Sequence, residues 1–150
     1  MKDFKKWDEQ FKAEKGFVSE RKKPEYKAVP DGVYDCELER LELTENSKGR
    51  PMIKAMFRIY SGEYARYCIF ENRTLAANTQ ENTAKCREIA MEFLRDMDLL
   101  EPDDVDYDGT FSDLNDLLGD ILDAGRGCLL RVRRYTKDGW THLQPLGVIE

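Results

Sequence analysis

From Met52 to Tyr60 the chain alternates without a break. Ile53, Ala55, Phe57 and Ile59 fall on one side, and Met52, Lys54, Met56, Arg58 and Tyr60 on the other. A period of two sends successive side chains to opposite faces of a pleat, so this segment is a strand with one buried face. The preceding stretch, Gly32–Leu43, starts in the same manner with Tyr34, Cys36 and Leu38, and then its apolar phase moves to Leu41 and Leu43. A phase change inside one strand predicts a β-bulge, the device by which a long strand curls around a barrel. The turn residues at 45–51 (ENSKGRP) join the two strands.

A tight Ser61–Gly62 turn leads to a third strand over Tyr64–Arg73, where four consecutive apolar or aromatic residues leave the facing open. Residues 79–98 change to a helical period, with Cys86, Ile89, Ala90, Phe93 and Met97 on one stripe. A second helix is predicted over Asp113–Ala124, capped by Ser112 and ended by Gly125 and Gly127. Two β-rich runs, Cys128–Tyr135 and Trp140–Ile149, flank Thr136-Lys137-Asp138-Gly139 and predict a hairpin. Pro145 requires an edge or a bulge in the last strand. At the other end, Phe4, Trp7 and Phe11 predict a short amphipathic helix over residues 3–14, followed by an extended basic connector at 18–30.

The fold class expected is therefore mainly β with helices (α+β). Five strands with a helical insertion (about 79–124) between the third and fourth match the OB-type five-stranded barrel. Another five-stranded meander, or a split sheet with helices on one face, is the competing arrangement. At 150 residues the chain reads as one domain, with residues 1–30 forming the N-terminal helix and arm and 31–150 the barrel.

The net charge of −6 is unevenly distributed. Residues 96–123 hold ten Asp, one Glu and no Lys or Arg, leaving 24 basic against 19 acidic groups elsewhere, a local balance of +5. Screening confines exposed charges to about 10 Å, so a basic face is compatible with an acidic chain, while a strong general grip on duplex DNA is not expected. Exposed edge strands and the aromatic N-terminal helix allow self-association into a homo-oligomer.

No apolar run approaches the roughly 20 residues of a membrane span, and the N-terminal MKDFKKWDEQF lacks the apolar core of a signal peptide. Cys36, Cys68, Cys86 and Cys128 form no C-x-x-C pair and sit in apolar-patterned segments, which suits buried thiols in a reducing cytoplasm. A zinc site is not expected with His142 as the one histidine. Asp104-x-Asp106-x-Asp108-Gly109 matches the first half of an EF-hand loop, yet Asn115 stands where the bidentate Glu belongs. It reads as an acidic surface loop, and no metal or cofactor is expected. Neither a G-x-S-x-G elbow nor a Walker loop is present, so a binding protein is expected rather than an enzyme.

The candidate binding residues are the cations and rings of the middle strands and the final hairpin. The second strand offers Lys54, Arg58 and Tyr60; the third adds Arg66, Tyr67 and Phe70; the closing hairpin adds Arg131, Arg133, Tyr135 and Trp140. Unpaired nucleic acid needs cations for phosphate and ring faces for bases, each stacked base being worth about 1–3 kcal/mol. Arginine serves both purposes. The competing function is a protein-interaction module or inhibitor whose acidic segment 96–123 engages a basic partner.

Three segments, VPDGVYDCELERLEL (29–43), SKGRPMIKAMFRI (47–59) and GEYARYCIFENRTL (62–75), resemble a family of bacteriophage-encoded single-stranded DNA-binding proteins with an OB fold. The resemblance covers roughly residues 1–98. It implies sequence-tolerant coating of single-stranded DNA, with RNA as the alternative ligand, in viral replication or recombination within the bacterial host cytoplasm. The sequence departs from the usual single-strand-binder pattern, whose acidity lies in a flexible C-terminal tail: here it lies in the internal segment 96–123.

Overall fold

The computed structural model describes residues 28–149; the helix expected at 3–14 and most of the basic connector lie outside the described residues. The elements are β1 (Gly32–Glu45), β2 (Pro51–Ile59), β3 (Cys68–Thr74), helix α1 (Gln80–Asp96), a 3-10 turn at Pro102–Asp104, helix α2 (Phe111–Ala124), β4 (Leu129–Lys137) and β5 (Trp140–Ile149). The strands form one antiparallel sheet in the order β3-β2-β1-β4-β5. No described helix is long and apolar enough to cross a membrane.

The phase switch in β1 is a bulge. Leu38 lies opposite Phe57 and Arg40 opposite Met56, leaving Glu39 as the extra residue. Cys36 and Leu38 before it and Leu41 after it all reach the core, because one inserted residue restores the inward face. β2 buries Ile53, Ala55, Phe57 and Ile59 as the alternation requires. The hairpin turns through Asp138 (φ 54°) and Gly139 (φ 80°), both left-handed, as a type I′ connection demands. Pro145 sits on the edge strand β5 beside a register shift, satisfying both conditions for a strand proline.

Both helices cover the inner side of the sheet. Phe93, Leu94 and Met97 of α1 and Leu114, Leu117, Leu118 and Ile121 of α2 join the strand residues in one core. The Phe93 ring meets Phe57 edge-on at 6.4 Å. Thr79 and Thr110 cap the helices by accepting from the Asn82 and Asp113 amides.

Several expectations are corrected. The third strand begins at Cys68, not Tyr64, because Arg66 takes a left-handed conformation (φ 74°) inside the turn that joins it to β2. Thr110, not Ser112, caps α2: Asp108 accepts from both the Thr110 amide and its hydroxyl, drawing Thr110 into the extended cap geometry. Ile89 is 51% exposed, because the buried stripe of α1 is turned toward Met91 and Leu94 and leaves Ile89 on its border.

The sheet is not closed into a barrel. β3 and β5 are its two edges, without a backbone ladder between them. A side chain spans the gap instead: Glu71 of β3, 6% exposed, accepts from the Leu143 amide of β5 at 2.6 Å. Arg73 reaches the same place, 3.4 Å from Glu71 Oε1 and donating to the Leu143 carbonyl at 3.3 Å.

Of the four thiols only Cys36 is fully buried, while the other three are half-buried. Burial pushes the Cys36 thiol up to about 12, which suppresses the reactive thiolate. Iodoacetamide at pH 8 is expected to modify Cys68, Cys86 and Cys128 before Cys36, as peptide mass mapping with and without denaturant would check.

Candidate nucleic-acid interface

Residues paired across neighbouring strands share a face, so the registers show which candidates the sheet brings together. On the outer face of β2 stand Lys54, Met56 and Arg58, half-buried between neighbours, with Tyr60 exposed just beyond the strand. Phe70 of β3 lies opposite Met56, 53% exposed, with Lys54 Nζ 6.0 Å from its ring centroid. Arg66 is exposed in the turn, and its carbonyl accepts from Arg58. Tyr67 instead packs against the core beside Tyr64, ring centroids 5.7 Å apart.

β4 and β5 carry the second group. Arg131, Arg133 and Tyr135 alternate outward from the buried Leu130 and Val132. The Arg133 guanidinium lies over the Tyr135 ring at 5.0 Å. The Tyr135 ring lies against His142, its partner across the hairpin, at 5.4 Å and an interplanar angle of 32°. Trp140, 73% exposed, stands opposite Lys137 at the hairpin tip. The result is a cation-aromatic ladder running out along the hairpin.

Between the two groups lies β1, whose outward side is acidic. Asp35 opposes Arg131, Glu37 opposes Arg58 and Glu42 opposes Lys54. Glu39, in the bulge, pairs with Arg58 at 3.0 Å, and Asp35 pairs with Arg131 at 3.3 Å. The Glu39 hydrogen bond is the main cause holding the Arg58 guanidinium even further above neutrality than usual. Arg133, opposite Val33, has no carboxylate partner among the described residues. Sequence reasoning missed this stripe, although the alternation that sends Cys36 and Leu38 inward sends Asp35, Glu37 and Glu42 out. It also missed the buried Glu71–Arg73 pair.

The acidic segment lies elsewhere. α2 packs on β1 from the inner side, so its exposed Asp116, Asp120 and Asp123 stand on the opposite side of the sheet from the ladder. In the preceding loop the carboxylates serve the backbone: Asp106 accepts from the Tyr107 amide, and Asp113 from the Asp108 amide. The hydrogen bonds from Thr110 hold the Asp108 carboxyl below its ordinary value. Among the described residues no three His, Cys, Asp or Glu side chains gather as a metal site.

A scan against protein-family models finds no match to this chain. A search of curated proteins likewise finds none.

Proposed function

We propose that this protein binds single-stranded nucleic acid on the outer face of an OB-type sheet, without catalysis. The observation that carries the reading is the Arg133–Tyr135–His142 ladder with Trp140 at its tip: an arginine with no carboxylate partner among the described residues and three rings in one row, of which Trp140 is the exposed one. Phosphate takes the guanidinium and bases take the rings, the division of labour that sequence-tolerant binding needs. The strand order supports the OB assignment. β1 pairs with both β2 and β4, the helices lie between β3 and β4, and β3 and β5 are left facing each other where an OB barrel closes. With the phage-family resemblance of residues 29–75, the role is coating single-stranded DNA during viral replication or recombination.

The β1 carboxylates shape this binding. Arg58 and Arg131 must exchange Glu39 and Asp35 for phosphate, so Arg133 makes the first contact. The duplex, with its denser charge, meets the acidic stripe at a disadvantage.

Fluorescence anisotropy with labelled oligo-dT at low and moderate salt, beside a duplex control, tests the reading. Micromolar or tighter binding is expected, weakening with salt at a slope of about −0.7 per phosphate neutralised. Absence of binding at low salt would reject it and favour the acidic α2 face as a protein-docking surface. Glu39→Gln is expected to tighten oligo-dT binding about two- to fivefold at low salt by freeing Arg58, measured in the same titration.

A further inference from the structure

We propose that the cleft between the C-terminal half of α1 and the β5 edge is a pocket for a guanine base of the bound strand. This rests on the single-strand reading above.

The cleft has a volume of about 230 Å³, below the roughly 300 Å³ at which drug-sized sites begin, and suited to one planar heterocycle. It is bordered by Ile89, Leu143 and Pro145, by the buried Phe93 that Arg73 covers, and by Tyr135, whose ring also contacts Arg133 and His142. Tyr135 also belongs to the ladder, so a strand running along the hairpin passes the mouth of the cleft.

Beyond the contacts Arg73 makes with Glu71 and Leu143, one of its atoms and two carboxylates around the cleft have no partner among the described residues. Arg73 Nε is the one buried side-chain nitrogen or oxygen without a hydrogen bond among the described residues, and the guanidinium is stacked 5.1 Å from the Phe93 ring. Glu92 and Asp96, one turn apart on α1, have no ion pair among the described residues, and both line the cleft. Burial pushes the Asp96 carboxyl up, the neighbouring Glu92 adds to this and Arg73 opposes it. Buried polar atoms are ordinarily satisfied, so the Arg73 Nε calls for a ligand or ordered water, and the half-buried Asp96 and exposed Glu92 stand at the same cleft.

The unmet groups specify the ligand. Arg73 needs an acceptor, and the carboxylates need donors. Guanine presents a carbonyl acceptor beside a ring N–H and an amino group, two adjacent donors that one carboxylate can accept together. Thymine has a single N–H and no amino group, and adenine and cytosine each offer one amino donor. Hydrogen bonding to the Watson–Crick edge is an ordinary way to read an unstacked base.

The test is anisotropy on the full chain with labelled oligo-dT and the same oligonucleotide carrying one central guanine. The guanine oligonucleotide is expected to bind about tenfold tighter. Asp96→Asn is expected to abolish that preference and leave oligo-dT affinity unchanged. Glu92→Gln, at an exposed position, carries the test should Asp96→Asn fail to fold. Equal affinity for the two oligonucleotides would overturn the pocket, with water filling the cleft, and leave single-strand binding standing. A preference that survives both substitutions would also overturn it. Calorimetry with guanosine monophosphate separates the two readings: Asp96-dependent binding without any oligo-dT binding keeps the pocket and rejects the coating role. Binding of neither rejects both.

Discussion

Replacing Glu71 with Ala is expected to lower stability by about 3–5 kcal/mol, the usual consequence of breaking a buried ion pair by removing one partner. Glu71 is almost fully enclosed, accepts from the Leu143 amide and faces Arg73. Without it the Leu143 amide loses its acceptor and the Arg73 guanidinium its counter-charge, keeping only the Leu143 carbonyl at the seam between β3 and β5. Urea unfolding followed by circular dichroism measures the loss. Glu71→Gln, which keeps an acceptor for Leu143, is expected to cost much less. A Glu71→Ala loss under about 1 kcal/mol would mean that the seam is held by core packing alone.

The same residue gives a pH dependence with a definite sign. Burial raises the Glu71 carboxyl above its ordinary value, with Arg73 and the Leu143 hydrogen bond opposing. A raised folded-state value means that the proton is bound more tightly in the folded protein. The associated stability is present in full below the ordinary glutamate range and is lost as pH rises through the folded value. Relative to Glu71→Gln, the wild type should therefore gain stability as pH falls through that window. A gain in the opposite direction would show that Arg73, not burial, dominates.

Removing Trp140 is the second large expectation. Trp140→Ala should weaken oligo-dT binding by about 1–3 kcal/mol, the range for one stacked base, and leave the melting temperature nearly unchanged because the ring is mostly in solvent. Arg133→Ala should lower affinity and make the salt slope shallower by about 0.7, one phosphate contact. Tyr60→Ala probes the β2 end of the face in the same way. Unchanged affinity after both Trp140→Ala and Tyr60→Ala would reject ring stacking as the mode of binding.

The parts legible beforehand were those with a local cause. The β2 alternation, the β1 phase change, the Asp-Gly turn and the Pro145 constraint each depend on a few neighbouring residues, and each appears where expected. Ile89 shows the limit: helical period gives the general direction of an apolar stripe, not which of its borders the sheet covers. Glu71 shows another. Its inward position follows the β3 alternation with Ile69, but a charged residue toward the core makes sense only once Arg73 and the Leu143 amide stand beside it.

The candidate interface divides in the same way. That Arg131, Arg133 and Tyr135 point away from the core follows from their phase with Leu130 and Val132. That Arg133 has no carboxylate partner among the described residues while Arg58 and Arg131 are held by carboxylates depends on which strand lies between β2 and β4.

Alternation and turn chemistry act over two to four residues, so the chain alone determined its strands, its bulge, its hairpin and the side of each strand that meets the core. Which strand neighbours which is a long-range choice, made by burying all the inward faces against two helices at once. That choice alone set an acidic strand between two basic ones, left β3 and β5 to meet through Glu71, and put Tyr135 at the mouth of the cleft.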